Sequence, residues 1–289
     1  MFNDRPAPSR PSRYRLLFVD LDGTLVAESD SISDANLGAL ARARHAGCEP
    51  VVCTGRSRYS SRRVVERLGG AGWLVAMNGA IVVHCTTGDV IRHVRLAPDV
   101  FDEAGRVIAR AGMAPICFGV HDDDRTIYAD RRKPLPPQYE RRQSRRLVFV
   151  DDVPARVPGP PVMVAAYGPP EEVLRARDVI TDELGERVHV IISGSPRYSA
   201  WVLEVHDPRS NKAVGAAFLA RHLGVDRAAT AAIGDHLNDV PLLRWVGLGI
   251  AVADGVPEAR DAAHATTRSS RDDGVAAAID HWIAPAAGP

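Results

Sequence analysis

The sequence predicts an α/β fold: a doubly wound parallel sheet with an α+β module inserted in it. Three observations carry that prediction. Short apolar runs end in small or acidic residues, the pattern of buried parallel strands whose carboxyl ends face a ligand. Segments of helical period separate these runs at both ends of the chain. Between about Val83 and His206 the alternation gives way to consecutive short strands with only two amphipathic helices. That pattern suits an antiparallel sheet with helices on one face.

The first run is Leu16 to Leu25, LLFVDLDGTL, in which four apolar residues lead into Asp20, Asp22, Gly23 and Thr24. Side chains two apart on a strand share a face, so both acids can meet one ligand if the strand stays extended. Ser33 or Asp34 can cap a helix that Gly47 stops. Glu49 to Cys53 reads as the next buried strand and ends in Thr54-Gly55-Arg56. A helix over about Ser57–Leu68 and a strand over Trp73–Ala76, ending in Asn78-Gly79, complete β-α-β-α-β.

In the module, Ile81–His84 and Val90–Val94 flank a Thr87-Gly88-Asp89 turn, a hairpin signal. A helix carries Val100, Ala104, Val107, Ile108 and Ala111 on one face, and a second spans about Glu171–Leu184. Strands are expected at Ile116–Val120, Thr126–Ala129, Leu147–Val150, Val162–Tyr167, Val188–Ile192 and Trp201–Val205. The basic, Pro-broken stretch Arg131–Arg146 reads first as a solvated loop and second as a loop facing a substrate or partner. Alternation resumes with a helix capped by Ser210 or Asn211, a strand Thr230–Ile233 ending in Gly234-Asp235, a short helix Val240–Trp245 and a strand Leu248–Val252. Pro257 opens a helix at its favoured first turn, and Gly274–Ile283 is the last helix. The expected organisation is a loose tail over residues 1–13, a core of residues 14–82 and 207–289, and a module over residues 83–206.

Charge and cysteine content narrow the function. The chain has 36 basic and 36 acidic residues, so no net charge draws it to nucleic acid or an anionic membrane. No apolar stretch approaches the roughly 20 residues of a membrane span, and the N-terminus lacks the apolar region of a secretory signal. Cys48, Cys53, Cys85 and Cys117 have no metal-type spacing, which points to reduced thiols and a cytoplasmic setting. Only Lys133 and Lys212 are lysines. The histidines, His84, His121 and His206 among them, show no paired ligand spacing.

A parallel sheet brings four pieces to one edge: Asp20 and Asp22; Thr54-Gly55; Lys212; and Gly234-Asp235 with Asn238-Asp239. Mg²⁺ takes one or two carboxylates plus waters and a phosphate oxygen, and Asp20 and Asp235 can supply the carboxylates. With its charge masked, Asp20 can attack a phosphoryl group and form an aspartyl-phosphate. Asp22 can protonate the leaving oxygen and then deprotonate the attacking water. Thr54, the Gly55 amide and Lys212 suit phosphate oxygens, Asn238 can hold phosphate or a metal-bound water, and Asp239 can orient Lys212 or a metal water. Each piece has a plainer alternative: a surface turn for the acid pair, a helix-entry turn for Thr54-Gly55-Arg56, a solvated helix residue for Lys212, a helix cap for Asp239. Cys53 reads as a buried strand residue and not a nucleophile.

These motifs resemble the haloacid dehalogenase-like (HAD) superfamily, in its Cof-type branch with a C2 (class IIB) cap. Asp20-Leu21-Asp22-Gly23-Thr24 is similar to the first motif, Thr54-Gly55-Arg56 to the second, Lys212 to the third and Gly234-Asp235-x-x-Asn238-Asp239 to the fourth. Asn78-Gly79-Ala80 and Asp272-Asp273-Gly274-Val275 are also similar to Cof-type sequences. The resemblance implies a Rossmann-like core, a cap, Mg²⁺ and hydrolysis of small phosphorylated metabolites, often sugar phosphates. It implies Asp20 as nucleophile, Asp22 as acid/base, and Asp20, the Asp22 carbonyl and Asp235 around the metal. Thr24 and Asp239 take supporting roles. One departure stands out: many relatives have Met-Gly-Asn-Ala where this chain has Val252-Ala253-Asp254-Gly255, so Asp254 is a candidate for altered phosphate affinity or substrate preference. Rival expectations are a phosphomutase-type phosphotransferase and a non-catalytic metabolite-binding relative. The expected partner is a small phosphorylated metabolite, with no nucleic acid and no membrane.

Overall fold

The computed structural model describes residues 12–26, 31–70, 72–120, 125–195 and 198–284. The expected tail falls largely on residues 1–11, and His121 on another stretch, both outside the described residues. Ser12 is described, and its amide donates to the Ala46 carbonyl at 2.8 Å.

The opening run forms β1 (Leu16–Val19), all four residues buried because both faces of the strand are covered. Ser33 caps α1 (Asp34–His45), its hydroxyl accepting the Asn36 amide at 3.1 Å. There follow β2 (Glu49–Cys53), α2 (Arg58–Arg67), β3 (Trp73–Ala76), β4 (Ile81–His84) and β5 (Val90–His93). The inserted stretch runs α3 (Pro98–Arg110), β6 (Ile116–Phe118), β7 (Ile127–Asp130), α4 (Pro137–Gln143), β8 (Leu147–Val150), α5 (Val153–Arg156), β9 (Met163–Gly168), α6 (Pro170–Leu184), β10 (His189–Ser195) and β11 (Ala200–His206). The chain ends with α7 (Lys212–His222), β12 (Thr230–Gly234), α8 (Val240–Trp245), β13 (Leu248–Ala251), α9 (Pro257–Ala262), β14 (Ala265–Thr266) and α10 (Gly274–Ala278), whose last turn widens to a π-helix over Ile279–Ile283.

The described residues form two compact units: those up to 56, within 61–92 and from 211 form one, residues 57–60 and those within 93–210 the other. The first is built on an eight-stranded sheet ordered β14-β13-β12-β1-β2-β3-β4-β5. Pairing is parallel from β14 through β3, and β4 returns antiparallel to β3. Val19 lies opposite Ile233 on one side and Val52 on the other, so β12, β1 and β2 end level. That register decides where the chemistry can be. It sets the residues after Val19, Ile233 and Cys53 side by side at one sheet edge.

The face of this sheet carrying Leu16, Phe18, Val51, Cys53 and Val75 packs on Ala216, Leu219 and Ala220 of α7 and Leu242 and Leu243 of α8. Small residues draw α7 close. A Cβ on Gly215 would lie 2.7 Å from Gly79 Cα, and one on Gly79, at φ +86°, would lie 2.2 Å from the Asn211 carbonyl oxygen. Lys212, next to Asn211, is thereby seated against the sheet. On the far side the Asp272-Asp273-Gly274 stretch is structural: Ser33 donates to the Asp273 carboxylate at 2.5 Å, and Asn36 accepts the Ala276 amide at 2.9 Å.

The second unit has a six-stranded sheet ordered β10-β11-β9-β6-β7-β8, antiparallel except between β7 and β8. Val100, Ala104, Val107 and Ile108 of α3 and Val173, Ala176, Ile180 and Leu184 of α6 share one core with Val164, Ala166, Leu203 and Val205 of the sheet. Two helices were expected, and α4 and α5 are additional. Each is too short to leave a readable period. α4 forms inside the stretch expected to be a solvated loop. Pro137 occupies its first turn and Tyr139 is buried, so the arginines there decorate an anchored helix. Among the described residues no helix is long and apolar enough to cross a membrane.

Candidate active site

Asp20 continues the parallel ladder beyond β1, its amide donating to the Ile233 carbonyl at 3.0 Å, and its side chain is buried. The chain then folds into a tight turn, with Leu25 N–H on the Asp20 carbonyl at 3.2 Å and Val26 N–H on the Leu21 carbonyl at 2.8 Å. Only glycine suits position 23, where φ is +85° and a Cβ would lie 2.4 Å from Asp235 Oδ2. The turn buries Thr24, whose hydroxyl donates to Asp235 Oδ1 at 2.8 Å. First and fourth motifs are therefore joined by contact within one unit.

Lys212 is the first residue of α7, which Asn211 caps by accepting the Ala213 amide at 2.8 Å. Its ammonium is 1% exposed and donates to Asp20 Oδ1 and Asp239 Oδ1, both at 2.6 Å. The other Asp239 oxygen accepts the amides of Asp235 and His236, each at 3.1 Å. Asp239 thus orients the lysine and pins the loop that presents Asp235.

Asp20, Asp235 and Asp239 offer carboxylate oxygens that all lie within 4.8 Å of one another. Burial and mutual repulsion have the expected effect. Burial drives the Asp20 carboxyl well above the usual carboxylate range; Lys212 pulls it back, while Asp239 and Asp235 push it further up. Burial, then Asp239, lifts the Asp235 carboxyl to about 6, with the Thr24 hydrogen bond opposing. Burial works against the Lys212 ammonium, but Asp20 and Asp239 outweigh it and hold its pKa above that of a free lysine. Burial lowers the His236 pKa, favouring the neutral ring. An all-oxygen set of crowded acids is the donor chemistry of a hard divalent cation such as Mg²⁺.

Asp22 is not part of that group. Its side chain is 58% exposed and receives a forked pair from Arg56, Nε to Oδ2 at 2.7 Å and Nη2 to Oδ1 at 2.5 Å. Arg56 stands in the second motif, yet its hold on Asp22 could not be read from the sequence, because the fork joins residues 34 positions apart.

Thr54 is buried, its amide on the Val75 carbonyl at 2.9 Å and its hydroxyl oxygen accepting the Arg56 amide at 3.0 Å. Next to Gly55, Asn78 donates its amide to the Thr54 carbonyl at 3.1 Å and accepts from Asn238 Nδ2 at 3.0 Å. Met77 and Asn78 have φ of 49° and 52°, left-handed values that cost energy for non-glycine residues and cluster at functional sites. Asn78 is the second residue not expected in the site from the sequence; its signals were an Asn-Gly pair at a strand end and the likeness of Asn78-Gly79-Ala80 to Cof-type sequences. Asp254 points elsewhere: its carboxylate accepts the Ser270 amide at 2.8 Å and hydroxyl at 2.7 Å. The neighbouring backbone supports Asp235, since Val256 N–H donates to the Asp235 carbonyl at 2.8 Å.

Comparison with known proteins gives a consistent picture. A family described as haloacid dehalogenase-like hydrolase matches residues 17–279. The 5-amino-6-(5-phospho-D-ribitylamino)uracil phosphatase YitU of Bacillus subtilis (strain 168) is 27% identical over 271 residues, covering 93% of this chain and 97% of YitU. Among solved structures, a haloacid dehalogenase-like hydrolase from Bacteroides thetaiotaomicron superposes with a TM-score of 0.79 at 21% identity, covering 92% of this chain and 98% of that one. The HAD subclass IIB sugar phosphatase BT4131 does so with 0.74 at 20% identity, covering 93% and 98%. At such identities the structural likeness speaks for the fold.

Proposed function

The chain belongs to the haloacid dehalogenase-like hydrolase family, and on that premise we propose that it is a Mg²⁺-dependent phosphatase of small phosphorylated metabolites, working through a phosphorylated Asp20. The observation that carries the reading is the buried Asp20–Lys212–Asp239 chain with Asp235 beside it, four ionisable groups gathered at one sheet edge.

A cation would be held by Asp20, Asp235 and the Asp22 carbonyl, and when bound it supplies charge neutralisation to an anionic nucleophile and an anionic ester. Asp20 attacks phosphorus, the bond from phosphorus to the ester oxygen breaks, and Asp22 delivers a proton to the departing alcohol. Asp22 then takes a proton from water as that water attacks the acyl phosphate, which frees inorganic phosphate and returns Asp20. Lys212 holds the Asp20 carboxylate in place and offers positive charge to the phosphoryl oxygens. Thr54, the Gly55 amide and Asn238 are the phosphate's neutral partners. Arg56 fixes the direction of Asp22 until an ester arrives.

The curated relative's substrate, a phosphoribityl compound, and the sugar phosphatase among the structural neighbours support small polyol or sugar monoesters as the class. The test is phosphate release across a panel of phosphorylated metabolites, with Mg²⁺ and with EDTA, for the native chain and Asp20→Asn. Release should require the cation and fall at least about a thousandfold in the variant, the scale of losing a covalent nucleophile. Equal turnover by Asp20→Asn would refute the assignment. Consumption of ester without free phosphate would point to transfer onto another hydroxyl.

A further inference from the structure

The first unit holds a second concavity whose lining shares no residue with the carboxylate cluster. It encloses about 240 Å³ between α1, α2 and the sheet. Its apolar walls are Leu37 of α1, Val52 of β2, Val65 of α2 and Leu68 just beyond the end of α2. Leu37, Val65 and Leu68 are only partly buried, so folding leaves apolar surface in a hollow and not on a flat face. Val52 points to this side of the sheet, whereas its neighbours Val51 and Cys53 belong to the core shared with α7.

Position separates this hollow from the proposed chemistry. Pro50 and Trp73 lie where β2 and β3 begin, and Thr54 follows the other end of β2. At about 3.3 Å per residue, Thr54 lies roughly 13 Å along the strand from Pro50 and roughly 7 Å from Val52, the lining residue of β2 nearest to it. None of Thr54, Gly55, Lys212 and Asn238 lines the hollow.

The rim sets the ligand's charge. Arg44 lines the hollow, pairs with Glu49 at 3.3 Å and donates to the Leu68 carbonyl at 3.4 Å. Arg67 also lines it, is exposed, and has no ion-pair partner among the described residues. With Glu49 matched by Arg44, one guanidinium is left over an apolar hollow sized for a ring or two. We propose that this hollow is a second ligand site, for a small monoanion with an aromatic or branched apolar body, its acid group on Arg67 and its body against Leu37, Val65 and Leu68.

Cys85 reports on the site. It lines the hollow and is half-buried, whereas Cys48, Cys53 and Cys117 are buried, with their thiols pushed up by desolvation, Cys48 to about 12. The experiment titrates the full chain with 8-anilinonaphthalene-1-sulfonate and follows its fluorescence. In parallel, dithiobis(nitrobenzoate) measures Cys85: the thiolate attacks the reagent's disulfide, a mixed disulfide forms and thionitrobenzoate leaves. Saturable binding of one equivalent is expected, and saturation should slow release of the single fast-reacting thionitrobenzoate. Arg67→Glu should weaken the naphthalene sulfonate about fivefold or more, the scale of one partly exposed ion pair. It should leave the uncharged N-phenyl-1-naphthylamine unaffected. Leu68→Trp, which fills the hollow, should abolish binding of both, while phosphate release by either variant stays native and reports that the unit is folded. Unsaturable binding, affinity unchanged in both variants, or Cys85 left unprotected would each overturn the proposal.

Discussion

Asp235→Asn separates what the site costs the empty protein from what it does for catalysis. In the native chain the Asp235 carboxyl rises from the ordinary 3.8 to about 6, chiefly through burial. At about 1.4 kcal/mol per pH unit, that difference is about 3 kcal/mol against the folded, metal-free protein at neutral pH. The sign follows from proton binding. The folded state holds the proton between pH 3.8 and about 6 while the unfolded state has already released it. Stability is therefore intact below that window and lost as pH rises through it. The amide carries no charge, and its Oδ1 can still accept the Thr24 hydroxyl, bonded at 2.8 Å in the native chain. Asp20 contributes to the same repulsion, so the expected gain is about 1–3 kcal/mol for Asp235→Asn over the native chain at pH 7.5 in EDTA. At pH 4 the gain should vanish. Urea unfolding at the two pH values measures it. Mg²⁺ should reverse the ranking, because a cation that binds only the folded state stabilises the native chain by mass action and the variant far less. A variant no more stable than the native chain at pH 7.5 in EDTA would refute the argument that this carboxylate is held under strain.

Three other substitutions probe the remaining contacts. Lys212→Met strips both buried carboxylates of their ammonium and should cost about 3–5 kcal/mol in urea unfolding at pH 7.5, with part of the loss recovered in acid as the acids protonate. Arg56→Ala removes the fork from an exposed carboxylate, so stability should change by less than about 1 kcal/mol. Turnover should nevertheless fall about tenfold or more, a share of what a positioned general acid contributes, and Arg56→Lys should restore little of it because an ammonium cannot make the fork. Gly79→Ala puts a Cβ into the Asn211 carbonyl at a left-handed φ, and thermal unfolding should report a loss of about 2–4 kcal/mol.

The fold was legible because its signals are local. An apolar run only four residues long, closed by Asp20, is too short for a helix and reads as a strand covered on both faces, and Ser33, Asn211 and Pro257 mark helix starts by their own chemistry. The site was legible where its residues follow strand ends, since register alone lines up Asp20, Thr54 and Asp235. What escaped depends on contacts across the chain. No local pattern tells that Arg56 reaches Asp22, or that Asn78 accepts from Asn238, 160 residues away. Asp254 was singled out for a polar position near the fourth motif, but its bonds go to Ser270, a partner that spacing cannot reveal. α4 escaped because prolines and arginines hide one buried tyrosine, and a single anchor has no period.

Charge balance gives the cluster its logic. Asp20, Asp235 and Asp239 bring up to three negative charges and Lys212 one positive, so full ionisation would leave two uncompensated charges at a largely buried sheet edge. Two further lysines would close the deficit only by filling the space that an ester must enter. Protons can answer instead, and the raised carboxyls of Asp20 and Asp235 are that answer. On the proposed mechanism a protonated Asp20 would be a poor nucleophile, so a site balanced by protons would be idle. A divalent cation held by Asp20 and Asp235 would cancel the same two charges and leave Asp20 ionised. An anionic ester would then meet a neutral cluster in place of a repelling one. On this reasoning the three acids and the lone lysine form a charge deficit of two, matched to a cation, and the strain of the empty site is what makes the occupied site competent.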